Sequence, residues 1–150
     1  MVRSVEGKHG GYYEAIIQLR LVDEEFCYLL EKACMKDKIY IAKAMDVRNG
    51  YDYYVGDNRW AMNFGKHLQK TYGGELQFTR SLFSERDGKK MWRVTVLYRQ
   101  MPFKKGDRVM YNGEEWDVIS MVKGIMLKSG NQRVKVDYKE YQRVRKVEQQ

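Results

Sequence analysis

The start of the chain shows first a strand-like and then a helix-like spacing of apolar residues. Over residues 12–22, apolar side chains recur at every second position, which predicts a strand with one buried face. Acidic residues begin at Asp23, where a helix N-terminus favours them, and Phe26, Leu30 and Cys34 then recur at helical spacing. This segment is therefore predicted to form a strand followed by a helix.

Two turn signals and a second helix extend this pattern to residue 100. Asn49-Gly50 separates two strand-like runs and predicts a tight hairpin, because both central positions of a type I′ turn need positive φ. A second helix is predicted to end at Gly73-Gly74, and Asp87-Gly88 predicts another hairpin. Residues 12–100 thus have the order β-α-β-β-α-β-β. This is a split β-α-β plan with one added strand, and it predicts both helices on one face of an antiparallel sheet.

The pattern changes after Pro102, the only proline in the chain. Short apolar runs separated by glycines, without a helical repeat, predict a small closed barrel of the SH3-like kind over residues 103–150. Asn112-Gly113 is predicted to be the turn of its first hairpin. The candidate strands are 107–111, 115–122, 124–128, 132–138 and 143–147. With residues 1–11 as a flexible lead-in, the predicted fold class is α+β: a two-layer domain over 12–100, then the barrel.

Positive charge is concentrated in the second predicted domain. The chain carries 28 basic and 20 acidic residues, a net charge of +8. Residues 101–150 contribute +4 from 11 basic and seven acidic residues, as much as the first 100 residues together. Excess positive charge favours an anionic partner, because neutralising phosphates releases counterions. RNA or DNA is therefore a candidate partner.

The basic residues of the predicted barrel form the candidate binding site. In "NQRVKVDY", Arg133 and Lys135 alternate with Val134 and Val136, so the two basic side chains should share the outward face of one strand. Such a surface suits contacts to phosphates, although a solvated outer face is the ordinary alternative. The predicted RNA-binding residues are Lys104, Lys105, Arg108, Lys123, Lys128, Arg133, Lys135, Arg143, Arg145 and Lys146.

The remaining chemistry argues against an enzyme or a metal site. Cys27 and Cys34 are seven residues apart, and His9 and His67 are distant from them, which is not the ligand set of a structural zinc site. Two buried core thiols are predicted instead. No motif for a nucleophile, a phosphate loop or a metalloprotease is present. We therefore expect a protein that is not an enzyme and has no cofactor, metal or small-molecule substrate.

Two further features of the sequence limit the possible functions. Tyr51, Tyr53 and Tyr54 lie on the first hairpin, but the signature of an RNA-recognition sheet is absent, so ordinary packing is predicted for them. The longest apolar stretches are far below the roughly 18 to 20 residues that span a bilayer. A soluble, cytoplasmic protein without membrane contact is expected.

Three stretches of the chain resemble a known family. "GGYYEAIIQLR", "IYIAKAMDVRNGYDYYVGDNRWA" and "YGGELQFTRSLFSERDGKKMWRVTVLYR" are similar to the central region of the Nmd-three family, the export adaptor of the large ribosomal subunit. The resemblance covers about residues 10–150. It implies one domain like a large-subunit ribosomal protein and one like the barrel of translation factor five-A. It also implies a non-enzymatic factor that binds rRNA and ribosomal proteins during late subunit maturation, in a compact form that looks archaeal. We expect the chain to be monomeric.

The chain also departs from the family pattern in two places. The Cys-x-x-Cys zinc motifs of the family's N-terminal part are absent, which predicts a fragment or a divergent member. "LKSGNQRV" does not match the loop that carries the modified lysine of translation factor five-A, so Lys128 is not assigned that modification. Two other functions stay open. One is a general RNA-binding protein, and the other is a barrel that reads a protein tail through an aromatic cage of Tyr111, Trp116, Tyr138 and Tyr141.

Overall fold

The computed structural model describes residues 2–3 and 11–147 of the chain. The helices are α1 (Glu25–Asp37), α2 (Asn58–Tyr72) and a 3-10 helix (Tyr138–Arg143). The strands of the first sheet are β1 (Val2–Arg3), β2 (Ala15–Arg20), β3 (Ile41–Val47), β4 (Gly50–Val55), β5 (Glu75–Arg86) and β6 (Lys89–Arg99). Those of the second sheet are β7 (Arg108–Tyr111), β8 (Glu114–Ser120), β9 (Ile125–Ser129), β10 (Gln132–Val136) and β11 (Arg145–Lys146). The predicted α+β fold class and the order β-α-β-β-α-β-β are confirmed.

The chain folds as two compact units. The first comprises Met1–His67 and Leu76–Arg99, and the second comprises Leu68–Glu75 and Gln100–Gln150. The sequence prediction placed the boundary between the domains after residue 100. In the structure the last turn of α2 and the first residue of β5 belong with the second unit. There the Gln69 side-chain amide donates to the carbonyl oxygen of Val122 at 3.1 Å, and the Gly74 N–H donates to that of Met121 at 3.3 Å.

The first unit is built on a sheet with the strand order β1-β3-β4-β2-β6-β5. The pairs β1–β3, β3–β4 and β2–β4 are antiparallel, but β2 and β6 run parallel, so the prediction of an antiparallel sheet is wrong for this pair. No hairpin joins β2 to β6, and no tight turn forces them to reverse direction. The short strand β1 lies within the segment predicted as a flexible lead-in, and it pairs with β3. Residues 4–10 of the lead-in lie outside the described residues.

Both helices cover the same face of this sheet, as predicted. Ile17, Tyr53 and Val96 lie directly beside one another on β2, β4 and β6, and each is at most 1% exposed. From α1, Phe26 stacks on Tyr98 with 6.2 Å between ring centroids. From α2, Gly65 lies so close to the sheet that a Cβ there would be 2.7 Å from Val96 Cγ1. A glycine is therefore required where α2 crosses β6.

The first hairpin turns one residue earlier than predicted. Val47 pairs with Gly50, so Arg48 and Asn49 form the turn, and Asn49 has positive φ at 65°. Gly50 is the first residue of β4 and not a turn residue. Its role is to allow close approach, because a Cβ there would collide with the carbonyl oxygen of Leu19 in β2. Glycine is needed for packing at this position, and the sequence pattern misattributed it to the turn.

The other two predicted hairpins are confirmed. Asp87 and Gly88 have φ of 50° and 77°, and Asn112 and Gly113 have φ of 51° and 79°, as a type I′ turn requires. The hairpin at Asn112-Gly113 joins β7 to β8 and places Tyr111 opposite Glu114.

The second unit contains a five-stranded antiparallel sheet in the order β10-β9-β8-β7-β11 that curls into a barrel-like region. Its core is formed by side chains such as Val109, Val118, Ile125 and Leu127, each at most 1% exposed. A closed barrel was predicted. In the described part of the chain, however, the edge strands β10 and β11 each pair with only one strand, so backbone hydrogen bonds do not close the sheet. The 3-10 helix (Tyr138–Arg143) lies between the predicted fourth and fifth strands, and its end residues Tyr138 and Arg143 were predicted as strand residues.

The two cysteines are buried free thiols, as predicted. Burial, with a smaller contribution from Asp37 and Glu31, raises the pKa of Cys34 to about 12. In the described residues no helix is long and apolar enough to cross a membrane, and no group of three or more acidic, His or Cys side chains is arranged to hold a metal ion.

The raised pKa of Cys34 predicts a loss of stability at alkaline pH. Because the native state favours the neutral thiol, this contribution is complete below about pH 9 and is lost as the pH rises toward about 12. We expect Cys34→Ala to flatten the fall of the free energy of unfolding between pH 9 and pH 11. Urea denaturation at several pH values measures this. The pKa of Tyr53 is also raised, first by burial and then by side-chain hydrogen bonds with Cys27 and Glu31. Part of the fall in the free energy of unfolding should therefore persist in the variant. Parallel curves for parent and variant would refute the prediction.

Candidate nucleic-acid interface

The register of the second sheet aligns charged side chains in a row across four strands. Arg133 on β10 lies opposite Lys128 on β9, Lys128 lies opposite Asp117 on β8, and Asp117 lies opposite Arg108 on β7. Directly opposed residues place their side chains on the same face of a sheet. All four are exposed. The row therefore contains three basic residues and one acidic residue on the outer face of the second unit.

The outward orientation of the basic residues on β10 is confirmed. Arg133 and Lys135 are exposed, whereas Val136 is 1% exposed and Val134 packs against the core. The stem of Lys135 crosses Gly124, where a Cβ would be 2.8 Å from its Cε atom. The turn that joins β9 to β10 contains Gly130, with φ of 59°, and it sets Gln132 opposite Ser129. The turn thereby fixes the pairing of Arg133 with Lys128.

Three of the ten predicted residues are partly neutralised by acidic neighbours. Arg108 contacts Glu115 at 3.1 Å and Asp117 at 3.4 Å. Arg143 contacts Glu140 at 3.5 Å, and Lys146 contacts Asp107 at 3.7 Å. Among the described residues the other seven have no ion-pair partner: Lys104, Lys105, Lys123, Lys128, Arg133, Lys135 and Arg145. The uncompensated charge is therefore greatest along β9 and β10.

The structure separates the ten predicted residues into groups. Lys128, Arg133 and Lys135 lie together on neighbouring strands, and Lys123 precedes β9 in the loop from β8. Arg145 and Lys146 lie on β11, at the opposite edge of the sheet, with Arg143 just before them. Lys104 and Lys105 lie in the loop before β7. The sequence predicted one continuous surface, and only the β9–β10 group forms one through direct strand pairing. We call Lys123, Lys128, Arg133 and Lys135 the β10 surface.

The four aromatic residues of the proposed cage, Tyr111, Trp116, Tyr138 and Tyr141, are buried in or packed against the core of the second unit. Trp116 is 8% exposed, and its indole N–H donates to the carbonyl oxygen of Tyr111 at 3.2 Å. The Tyr138 hydroxyl donates to the carbonyl oxygen of Met121 at 2.6 Å, and burial raises the pKa of Tyr138 to about 12. Tyr111, Tyr138 and Tyr141 all pack against the core. A cage that reads a protein tail needs exposed ring faces, so this arrangement disfavours that alternative.

The first unit holds basic and aromatic residues that the sequence reasoning did not select. The Arg93 guanidinium lies between the rings of Tyr13 and Phe83, 3.8 and 4.1 Å from their centroids. Tyr13 meets Tyr54 edge-on at 4.8 Å, and Lys43 lies 5.4 Å above the Tyr54 ring. Of the three hairpin tyrosines, Tyr53 is buried and the other two are half-buried, as packing predicts. One sequence signal was available for this region, the five basic residues between positions 80 and 93.

The mixed sheet with two helices on one face, followed by a barrel-like sheet with an exposed basic surface, defines a two-unit α+β protein. A family model described as NMD3, second domain, matches residues 12–99. The chain therefore belongs to the NMD3 family, called Nmd-three above, which takes part in export and biogenesis of the large ribosomal subunit. The match covers the first predicted domain, and residues 100–150 lie outside it. A search of curated proteins found no match to the chain.

Proposed function

We propose that this chain is a non-enzymatic maturation factor that docks on the large ribosomal subunit through rRNA phosphates. The observation that carries the proposal is the β10 surface, where Arg133 lies directly opposite Lys128 on an exposed face and neither has an ion-pair partner among the described residues. Membership of a family associated with the large subunit supplies the partner.

Two physical properties of the β10 surface support phosphate contacts. Two like charges directly opposite each other destabilise an antiparallel pair, so their placement is unfavourable for the isolated protein. An array of phosphates would remove this repulsion and would release counterions on binding. The four side chains end in ammonium or guanidinium groups, which bind phosphate oxygens, so contacts through them would depend on salt more than on base sequence.

A general RNA-binding protein remains the second candidate, because phosphate contacts alone do not select one RNA. Selection for the large subunit would require further contacts, to rRNA shape or to ribosomal proteins. We propose that the monomeric chain makes such contacts in the cytoplasm as an adaptor, with the first unit, which carries the family match, contributing to them.

Capture from native lysate separates the two candidates. The tagged 150-residue chain should recover large-subunit rRNA and ribosomal proteins from a lysate of the source organism, well above the recovery of small-subunit rRNA. Sequencing the recovered RNA and identifying the recovered proteins by mass spectrometry measures this. Equal recovery of both subunits and of unrelated structured RNAs would contradict the proposal and would favour a general RNA-binding protein.

A further inference from the structure

The hairpin of β5 and β6 extends beyond the rest of the first sheet. β2 pairs with β6 only along Val94–Arg99, so among the described residues Lys89–Arg93 has no strand partner on that side of the sheet, although the Arg93 side chain contacts Tyr13. Large apolar side chains are exposed here, with Leu82 at 48%, Met91 at 38% and Trp92 at 43%. A two-stranded ribbon is only marginally stable in water, so exposed apolar side chains on it are an added cost. A partner that covers them would remove this cost.

A cleft of about 310 Å³ lies between this hairpin and the start of α2. Met62, Phe83, Met91 and Trp92 provide its apolar lining, while Arg80 and Lys90 contribute positive charge. This size is at the lower end of the range for small-molecule sites, and it suits a single planar ring system. Between positions 80 and 93 the chain has five basic and two acidic residues, so the charge of the hairpin favours an anionic ligand.

One part of the cleft offers hydrogen-bond acceptors. The Asn58 side-chain amide nitrogen donates to the carbonyl oxygen of Trp92 at 3.2 Å, which fixes the orientation of the amide. Its oxygen, Oδ1, is then buried and accepts no hydrogen bond from the described residues. A Glu14 carboxylate oxygen accepts from the backbone N–H of Asn58 at 3.4 Å. An unsatisfied buried acceptor is costly, and a ligand that presents an N–H donor would relieve this cost.

We propose that this cleft binds one unpaired base of single-stranded RNA. The base stacks on Trp92, its exocyclic amino group donates to Asn58 Oδ1, and the adjoining phosphate contacts Lys90 or Arg80. RNA fits the cleft better than a protein segment does, because the cationic side chains of Arg80 and Lys90 can contact a phosphate. The Glu14 carboxylate and the Asn58 oxygen can accept hydrogen bonds from a base edge. The inference rests on the proposed function in that RNA is the partner, but it concerns the first unit and not the β10 surface.

Two matched hexanucleotides test the proposal. Oligocytidylate and oligouridylate are both pyrimidine chains, and only cytosine has an exocyclic amino group. Fluorescence anisotropy of end-labelled hexamers, titrated with the full chain at low salt, should show tighter binding of oligocytidylate. Trp92→Ala should weaken this binding roughly five- to one-hundred-fold, the range expected for one stacked base, whereas Trp92→Phe should retain most of it. Asn58→Ala should bring the affinities for the two hexamers together.

Control variants separate this proposal from a structural effect and from the proposed function. Tyr28, on α1, is 61% exposed and does not line the cleft, so Tyr28→Ala removes an exposed aromatic ring and should leave binding unchanged. Parent-like hexamer binding by Trp92→Ala would overturn the proposal. The proposal would also be overturned if Trp92→Ala weakened binding to large subunits but not to hexamers, because the partner of the cleft would then be a ribosomal protein. Binding to large subunits without dependence on Trp92 would refute this inference alone. Hexamer binding that depends on Trp92, without large-subunit binding, would refute the proposed function alone.

Discussion

Gly50→Ala is expected to destabilise the first unit by on the order of 3 kcal/mol or more, because among the glycines with described surroundings an added Cβ would meet the closest contact here. The physical reason is a collision between the new Cβ and the backbone carbonyl of Leu19, which cannot rotate away as a side chain would. The two central strands β2 and β4 would have to separate or change register. Thermal unfolding measures the effect, and we expect a fall in Tm of about 10 °C or more.

Two matched variants make this prediction specific. Gly11→Ala adds the same methyl group where no atom lies within 4 Å, so it should change stability by less than about 0.5 kcal/mol. Gly50→Asn separates the two placements of the turn. If Gly50 were a central residue of a type I′ turn, asparagine would be tolerated there, because asparagine adopts positive φ readily. In the structure Gly50 is a strand residue, so Gly50→Asn should be at least as damaging as Gly50→Ala. A stable Gly50→Asn variant would contradict the observed register.

The order of elements in the first unit could be predicted from the sequence because each element carries a strong local signal. Ala15, Ile17 and Leu19 recur at every second position and are all fully buried, whereas Ile16, Gln18 and Arg20 are only partly buried. Asp57 accepts a hydrogen bond from the Trp60 N–H at 2.8 Å at the start of α2, and Gly73 has φ of 71° at its end. These are short-range effects within a few residues, so they appear directly in the sequence pattern.

Features that depend on distant contacts could not be predicted in the same way. The parallel pairing of β2 with β6 depends on how the chain returns after two helices and several strands. The turn at Asn49 was misplaced because glycine serves equally well for positive φ and for close backbone approach. Only the carbonyl of Leu19, about thirty positions away in the chain, decides between the two roles.

The candidate interface shows the same division. Alternation with Val134 and Val136 was sufficient to predict that Arg133 and Lys135 face outward. The direct pairing of Arg133 with Lys128 depends on the turn at Gly130, and the ion pair between Arg108 and Glu115 depends on the β7–β8 register. Charge counting treated all ten basic residues alike, but the structure shows that acidic neighbours partly neutralise three of them.

The second large effect is expected from the fourfold variant Arg133→Gln, Lys135→Gln, Arg143→Gln and Arg145→Gln. All four side chains are exposed, so their replacement should leave folding intact. Binding to large subunits at low salt should weaken on the order of 100-fold. Divided equally over four contacts, this corresponds to a loss of less than about 1 kcal/mol of binding free energy for each contact. Because Arg143 already contacts Glu140, the larger share should come from the two residues on β10 and from Arg145. Filter binding with purified large subunits measures the loss.

A charge-matched control shows whether the position or the number of charges matters. Lys32, Lys36, Arg59 and Lys66 are exposed residues of α1 and α2 in the first unit. Replacing these four by glutamine removes the same total charge and leaves the second unit unchanged. We expect this control to bind large subunits within a few-fold of the parent. An equal loss of affinity in both fourfold variants would indicate that net charge alone drives association.

The most direct test of the proposed docking surface is the salt dependence of large-subunit binding by the parent, the fourfold variant and the charge-matched control. Affinity plotted against salt concentration on logarithmic axes has a slope that reflects the number of phosphates neutralised. Each lost phosphate contact should flatten that slope by about one unit, so the fourfold variant should show a slope lower by up to about four units. The control should keep the slope of the parent. A fourfold variant with the affinity and salt slope of the parent would contradict docking through Arg133 and Lys135 on β10 and through Arg143 and Arg145 at β11, and would make the first unit the candidate docking surface.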